Sequence, residues 1–273
     1  MTGCKHGTPL AQDLNFNPIN QTMQSYIFLD LDDTLFQTLR KCAPGADLQA
    51  RAFLPDGSAN SFATPKQQWL WHWLSKGFKI VPVTARDVRA FERVNLPFQE
   101  EVVLNHGAVI LDKQRAVDQV WMERIMHALP AYHEKLLAVW AEVELYAKRC
   151  PGFKPRLVDD FDTLWYGVIK HSDGTEAILK TLLDEVIKPH PHVVNGDLYW
   201  HLNGNNLALL PKIINKESAV SYLLDGYRRQ HPQVLTFGAG DSKTDAPFMA
   251  LCDYALIPKN TQLFQSLALT EIT

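Results

Sequence analysis

The chain contains 273 residues, of which 46% are hydrophobic and 21% charged, and its formal net charge at pH 7 is -3. This composition is ordinary for a globular protein, and the length allows two domains or one domain with an insertion. The acidic balance argues against nucleic-acid binding through a basic surface, and no apolar run reaches transmembrane length, so we expect neither nucleic acid nor a membrane as partner.

The amino-terminal segment and the cysteines bear on where the protein works. Residues 1–23 are polar and lack the apolar region of a secretory signal, so they are expected to form a flexible leader. No two cysteines form a Cys-x-x-Cys motif, which favours reduced thiols in the cytoplasm. The cysteines are Cys4, Cys42, Cys150 and Cys252.

Apolar runs after the leader predict strands, separated by polar segments. A strand is predicted over 25–30, followed by a loop over 41–63 that contains prolines and glycines. Further buried strands are predicted over 78–83, 102–104 and 108–111.

A helix is predicted between the loop and the second of these strands. Thr64 is a suitable N-cap, Pro65 suits the first helical position, and Gly77 can end the helix. Four apolar residues are expected to share one face of this helix, namely Trp69, Leu70, Trp73 and Leu74.

The sequence pattern in the middle of the chain is different and predicts helices and β-hairpins. Residues 118–129 and 131–149 are predicted to form two helices separated by Pro130. A strand is expected over 164–170, followed by an amphipathic helix over 175–188.

The remaining elements include short strands and one further helix. Asn-Gly turns at 195–196 and 203–204 are expected to join neighbouring strands, and a helix starts near Asn215. The predicted strands cover 193–194, 198–202, 207–210, 234–237 and 254–257.

Strands that alternate with helices at both ends of the chain predict an α/β fold with a Rossmann-like parallel sheet. This core is predicted to comprise residues 24–111 and 207–273. The segment 112–206 is then an inserted α+β domain.

Three predicted core strands end in polar residues. Asp30 and Asp32 follow the first strand and share a face because they are two residues apart, whereas Asp33 points elsewhere. Thr84 follows a second strand, and the segment 240–245 follows a third. Because ligands of an open parallel sheet bind beyond the carboxyl ends of its strands, we expect these residues to converge.

The residue types favour phosphoryl chemistry. Clustered carboxylates repel one another unless a cation or proton intervenes, and oxygen ligands favour Mg²⁺. A carboxylate beside Mg²⁺ is a plausible nucleophile toward phosphorus, and its neighbour a general acid and base. Lys216, which opens a helix capped by Asn215, would balance a phosphate. The alternative, Lys212, directly follows Pro211 at a strand end, where no helix terminus is available.

These motifs, in this order, resemble those of the haloacid dehalogenase-like (HAD) superfamily. The first motif, Asp-x-Asp-x-Thr, matches residues 30–34, and the fourth, Gly-Asp-x-x-x-Asp, matches residues 240–245. The second and third motifs match Thr84 and Lys216. The large insertion between them is similar to a C2B cap, as in the Cof-like and sucrose-phosphatase-like branches.

The resemblance implies a role for each motif residue. Asp30 would attack phosphorus and form an aspartyl-phosphate, and Asp32 would protonate the leaving oxygen and then activate water. Thr84, with the adjacent Ala85, and Lys216 would hold the phosphoryl oxygens. Mg²⁺ would be held by four aspartates, with Asp32 contributing its backbone carbonyl; they are Asp30, Asp32, Asp241 and Asp245.

Five further residues are candidates for substrate contacts. Cof-like proteins usually show Asn-Gly-Ala after the third strand, whereas here His106 is inserted after Asn105, so His106 either points at the substrate or satisfies a turn. Aromatic residues in a small sheet more often serve in packing, which is the alternative reading for the others. The five candidates are His106, Trp200, His201, Asn203 and Asn205.

The sequence therefore predicts a Mg²⁺-dependent phosphatase that acts on a small phosphorylated metabolite, such as a sugar phosphate. A monomer or small homo-oligomer is expected. The alternatives are a phosphomannomutase-like phosphomutase and a non-enzymatic binding protein on a HAD scaffold. Release of free phosphate without a bisphosphate activator would separate the phosphatase from the mutase, and any measurable turnover would exclude the binding protein.

Overall fold

The structure is a computed structural model that describes residues 23–231 and 233–268. The predicted leader lies, apart from Met23, outside the described residues. No helix within the described ranges is long and apolar enough to cross a membrane.

The described part of the chain forms strands and helices that largely follow the predicted order. The strands are β1 (Gln24–Leu29), β2 (Gln37–Thr38), β3 (Gln49–Phe53), β4 (Ala59–Ala63), β5 (Lys79–Pro82), β6 (Val102–Leu104), β7 (Val109–Leu111), β8 (Phe153–Asp160), β9 (Thr163–His171), β10 (Leu198–Leu202), β11 (Leu207–Pro211), β12 (Val234–Ala239) and β13 (Tyr254–Leu256). The helices are α1 (Pro65–Gly77), α2 (Val88–Glu92), α3 (Gln119–Ala128), α4 (Pro130–Arg149), α5 (Glu176–Leu182), α6 (Pro191–Val194), α7 (Lys216–Gln230), α8 (Ala246–Met249) and α9 (Gln262–Ala268).

The first sheet is parallel and has the strand order β13-β12-β1-β5. Strand β1 lies inside the sheet, and its residues Ile27, Phe28 and Leu29 are fully buried. Such an apolar run suits a parallel strand covered on both faces. In the register, Leu29 is level with Ala239 of β12 and with Pro82 of β5, so all three strands end at the same edge. The predicted parallel α/β sheet is confirmed.

The second sheet is antiparallel and has the order β10-β11-β9-β8. Its two faces belong to different hydrophobic clusters, because successive side chains of a strand point to opposite sides. Ile169 and Leu209 pack with helices α4 and α5, whereas Val168 and Leu210 pack with the core of the first sheet. The second sheet therefore lies between its own helices and the first sheet.

Strand β11 shows where the second sheet ends along the chain. It pairs with β10 and β9, so the sheet continues to Pro211, beyond the predicted limit of the inserted segment at residue 206. The division of the chain into domains stays a prediction.

The predicted loop over 41–63 is wrong at 49–53 and 59–63, where strands β3 and β4 lie. Together with β2 they form a small antiparallel sheet in the order β2-β4-β3. Its buried positions include Ala52, Ser61 and Ala63, which are small residues with little preference for strands. The backbone ladder, rather than large apolar side chains, therefore defines this sheet, and an apolar pattern could not reveal it.

Three assignments between residues 150 and 206 also require correction. Residues 193–194 were expected to be a strand but belong to helix α6, where Pro191 occupies a first-turn position and His190 is the N-cap. The Asn-Gly pair at 195–196 consequently follows a helix and does not form a hairpin turn. Strand β8 was not predicted, because charged residues interrupt its apolar pattern.

Helix α1 confirms the predicted cap but not the predicted face. Thr64 and Gln67 form a reciprocal capping box at its start. Leu74 is fully buried, whereas Trp69 and Trp73 are 72% and 54% exposed. Leu70 and Trp71 pack, partly buried, beside Leu74, so the packed face does not include Trp69 and Trp73.

We expect Gly107→Ala to destabilise the fold at the start of α7. Gly107 has a φ of +103°, and a Cβ atom there would lie 2.2 Å from the backbone oxygen of Asn215, the N-cap of α7. Strain of this kind costs about 1–3 kcal/mol, so the variant should unfold at a clearly lower temperature. Gly77→Ala is the matched control because no atom lies within 4 Å of a Cβ at that position. Equal unfolding temperatures for the two variants would contradict this account.

Candidate active site

The carboxyl ends of the parallel strands place three motifs at one edge of the sheet. The Asp30 amide donates a hydrogen bond to the Ala239 oxygen at 2.9 Å, and the Val83 amide donates to the Leu29 oxygen at 2.9 Å. The Thr84 amide donates to the Val103 oxygen, also at 2.9 Å. These backbone bonds continue the sheet past its last strand residues, and they bring Asp30 and Thr84 to the edge that Gly240 also reaches.

Lys216 reaches this edge from the first turn of α7. Asn215 caps the helix, because its side-chain oxygen accepts a hydrogen bond from the Ser218 amide at 2.7 Å. The Lys216 ammonium group donates to Asp30 Oδ1 and to Asp245 Oδ1, each at 2.6 Å. Lys216 is buried in this contact, whereas Lys212 is exposed. The structure therefore brings Lys216, and not Lys212, to the predicted site.

Three buried carboxylates form the centre of the site. Oxygen atoms of Asp30, Asp241 and Asp245 lie within 4.8 Å of one another. Lys216 is the cation that pairs with the cluster, through Asp30 and Asp245. One ammonium group against three carboxylates leaves two formal negative charges uncompensated, which is unfavourable away from water.

The pKa values of Asp241, Asp30 and Lys216 reflect this excess of negative charge. Burial raises the pKa of Asp241 to about 7, with the charges of Asp245 and Asp33 adding to the effect. Burial also raises the pKa of Asp30 well above its usual value; Lys216 opposes this shift, and Asp245 and Asp241 reinforce it. Burial disfavours the charge on Lys216, but Asp245 and Asp30 outweigh it and raise the pKa of the ammonium group. The cluster therefore favours additional positive charge.

The free oxygen atoms of the cluster fit a hard divalent cation. Both Asp245 oxygens are engaged, Oδ1 by Lys216 and Oδ2 by the amide and hydroxyl groups of Ser242 at 2.9 and 2.7 Å. Within the described ranges, the Asp241 carboxylate receives only a 3.4 Å contact from the Asn203 amide. Asp30 Oδ2 receives a 3.4 Å contact from Thr34. Asp30 and Asp241 are thus the residues best able to hold Mg²⁺, with Asp245 orienting Lys216.

Asp32 and Asp33 lie outside the buried cluster. Asp32 forms two hydrogen bonds of 2.7 Å with the guanidinium group of Arg86, and half of its side chain is exposed. Arg86 also lies over the ring of Phe36, at 5.2 Å from its centre. Asp33 pairs with Lys41 at 2.5 Å. The side chain of Asp32 therefore lies half exposed, outside the buried cluster.

Thr84 and Ala85 are held beside Asp32 by contacts from two directions. The buried Thr84 hydroxyl accepts a hydrogen bond from the Arg86 amide at 3.2 Å. The hydroxyl of Tyr166, on β9, donates to the Ala85 oxygen at 3.0 Å. The second sheet is thus fastened directly to the loop that follows β5.

The structure separates the five substrate-contact candidates. The His106 ring lies edge-on to His201 and Tyr166, with ring centres 6.2 and 5.2 Å apart. Burial lowers the pKa of His106 well below its usual value and that of His201 to about 4, so both imidazoles are neutral near pH 7. Asn203 reaches Asp241, as described above. These three candidates lie at the site.

Trp200 and Asn205 do not face the site. Trp200 pairs with Leu209, whose side chain belongs to the helix-covered face of the second sheet, and Lys188 lies 5.0 Å from the indole ring. The Asn205 side chain bonds the backbone of His171, at 2.8 Å to its amide and 2.9 Å to its oxygen. Trp200 therefore lies on the helix-covered face of the second sheet, and Asn205 fixes the turn between β10 and β11 to the end of β9.

Sequence reasoning missed three residues that shape the site. Arg86 holds Asp32, and its spacing of two residues after Thr84 was the available signal. Ser242, between two aspartates of the fourth motif, fixes Asp245. Tyr166 contacts Ala85 across 81 positions of the chain, and a contact over this distance leaves no local pattern.

Comparisons with known proteins agree with the predicted fold. No protein-family model matches the sequence. The protein SMU.1108c of Streptococcus mutans UA159 has a similar structure at 12% identity, with 90% of this chain and 91% of that one covered and a TM-score of 0.52. Sucrose-phosphatase from Synechocystis sp. PCC6803, solved with sucrose and phosphate, is similar at 14% identity over 90% and 96% of the chains, with a TM-score of 0.50. Thermoplasma acidophilum protein 0175 is similar at 13% identity over 90% and 97%, also at 0.50.

The chain has the HAD-like fold that its motifs predicted. At these identities the likeness concerns the fold. The activity is therefore argued from the residues of the site itself.

We expect Mg²⁺ to stabilise the folded protein and Asp241→Asn to remove that response. Binding to the folded state alone contributes about 2.7 kcal/mol at a hundredfold excess over Kd. Asp241→Asn also removes repulsion in the cluster, so without Mg²⁺ this variant should unfold at a higher temperature than the wild type. Thermal unfolding with and without Mg²⁺ measures both effects.

Asp184→Asn is the matched control, since Asp184 is exposed and pairs only with Lys180 and Lys188 in the described structure. It should keep the response of the wild type. A Mg²⁺-induced shift of equal size in Asp241→Asn and the wild type would show that the ion binds elsewhere.

Proposed function

We propose that the protein is a Mg²⁺-dependent phosphatase that hydrolyses a small phosphorylated metabolite through an aspartyl-phosphate on Asp30. The observation that carries the proposal is the buried group of Asp30, Asp241 and Asp245 around Lys216. A structural ion pair would balance its charges, whereas this group keeps excess carboxylate at an edge where parallel α/β sheets bind ligands. Phosphoryl transfer depends mainly on positioning and on neutralising charge, which these residues can provide.

In the first step, an oxygen of Asp30 attacks phosphorus and the bond from phosphorus to the leaving oxygen breaks. Asp32, in its protonated form, gives its proton to that oxygen. The half-exposed position of Asp32 supports this role, and its hydrogen bonds with Arg86 fix where the carboxyl group lies. The leaving group departs as an alcohol.

In the second step, Asp32 accepts a proton from water as the water oxygen attacks the aspartyl-phosphate. The bond between Asp30 and phosphorus breaks, which returns the carboxylate and releases inorganic phosphate. Lys216 and the Thr84 hydroxyl would hold the phosphoryl oxygens in both steps, and the buried position of both supports this role. Bound Mg²⁺, held by Asp30, Asp241 and the Asp32 carbonyl, would neutralise charge on the phosphoryl group.

We propose that the segment 112–206, together with β11, acts as a cap that keeps bulk water from the reaction. Contacts of Tyr166 with Ala85 and of Asn203 with Asp241 support this, as does the bond from Gln262 to the Leu202 oxygen at 3.1 Å. A cap that closes on the substrate strengthens the electrostatic contacts inside. The sucrose bound in the structurally similar phosphatase supports a carbohydrate as part of the substrate.

We expect Asp30→Asn to lower kcat/KM for p-nitrophenyl phosphate by about a thousandfold or more, because the amide is not a nucleophile. Asp33→Asn is the matched control from the same motif, since Asp33 pairs with Lys41 outside the buried group, and it should retain most of the activity. Initial rates of phosphate release measure both.

Near-normal activity of Asp30→Asn would overturn the assignment of the nucleophile. A chelator should abolish turnover and Mg²⁺ should restore it. Phosphate release that needs no sugar bisphosphate would exclude the mutase alternative.

A further inference from the structure

The face of the second sheet that lies toward the first sheet carries a cluster of positive charges. Residues paired across antiparallel strands share a face, and Lys154 pairs with Lys170 while Arg156 pairs with Val168. Tyr166 lies on this same face, two positions from Val168, and it contacts the loop after β5. Lys154, Arg156 and Lys170 therefore project toward the candidate active site and away from the helices.

Within the described residues, these cations have few carboxylate partners. Lys154 and Lys170 lie directly opposite each other, an arrangement in which like charges destabilise a sheet. Within the described ranges neither lysine forms an ion pair. Arg156 has a carboxylate of Asp87 no nearer than 4.0 Å. Burial lowers the pKa of Lys170, and the charges of Arg156, Arg86 and Arg40 lower it further against the opposing effect of Asp32.

The cluster lies where a leaving group would emerge. The charge of Lys170 interacts with those of Asp32 and Arg86, the pair at the opening of the site. In the proposed mechanism Asp32 gives its proton to the leaving oxygen, so the remainder of the substrate must lie next to Asp32. Lys170 and Arg156 lie on the face of the second sheet that is turned toward the first sheet and its Asp32.

We propose that Lys170 and Arg156 bind a second anionic group on the leaving part of the substrate, a carboxylate or a second phosphate. This inference rests on the proposed phosphatase activity and narrows its substrate class to phosphorylated acids. An anion there would relieve the repulsion between the cations and form charge-assisted hydrogen bonds, with arginine able to bind in a bidentate manner. A neutral sugar would leave the repulsion in place.

The test compares substrates that differ only in this second group. Sorbitol phosphate and phosphogluconate, both open-chain and phosphorylated on the terminal carbon, differ by a carboxylate in place of a hydroxymethyl group, and sorbitol bisphosphate carries a phosphate there instead. The wild type should prefer one or both of the charged substrates by about tenfold or more in kcat/KM, the gain expected of a hydrogen bond to a charged group. The charged substrate that is preferred shows whether the bound anion is a carboxylate or a phosphate.

Lys170→Gln and Arg156→Gln should each lower that preference ratio about tenfold, and Lys170→Arg should retain most of it. Lys180→Gln is the matched control, because Lys180 lies on α5, on the other side of the sheet, and is 61% exposed. It should keep the wild-type ratio. The ratio of kcat/KM between the charged and neutral substrates measures recognition of the second anionic group. A general loss of structure would not change this ratio.

The outcomes separate this inference from the function on which it rests. Turnover of p-nitrophenyl phosphate without any preference for a charged substrate would overturn the inference and leave the phosphatase standing. A preference that survives in both Gln variants would show that other residues bind the anion. Absence of turnover on every phosphoester would overturn both proposals.

Discussion

The contact of Lys216 with two buried carboxylates is the interaction on which the site depends. It joins the end of β1, through Asp30, to the segment after β12, through Asp245, and both to the first turn of α7. Removing one partner of such a contact leaves a buried charge without compensation, which is far more costly than the contact is stabilising. The third carboxylate, Asp241, leaves the group with excess negative charge. Stability alone would not select this arrangement, whereas the proposed Mg²⁺ would compensate its excess charge.

The sequence predicted the site where the signals are local. An apolar strand that ends in Asp30, and a helix that opens with Asn215 and Lys216, each define an element and place a side chain on it. The pair between Asp32 and Arg86 was not predictable in this way, because it joins side chains 54 positions apart. The side of the sheet on which Trp200 lies was not predictable either, because strand register fixes it and a shift of one residue reverses it.

Side chains of the second sheet point alternately to its two faces, and the two faces serve different purposes. One set of residues, which includes Ile169 and Leu209, packs against helices and holds the unit together. The other set faces the first sheet with Tyr166 and Val168 buried at its centre and charged residues toward its end. Apolar contact thus fixes the distance between the two sheets, and polar residues at the margin of that contact are free to meet a ligand. In the proposed function, chemistry and recognition would be supplied by different sheets.

The central claim is that the excess carboxylate charge beside Lys216 exists to hold a divalent cation. Anomalous diffraction from crystals soaked in Mn²⁺, a substitute for Mg²⁺, tests it most directly. The account predicts one strong peak bonded to Asp30 and Asp241, and its loss in Asp241→Asn crystals. Mn²⁺ bound only at other carboxylates, with Asp30, Asp241 and Lys216 well ordered and no peak between them, would contradict the account.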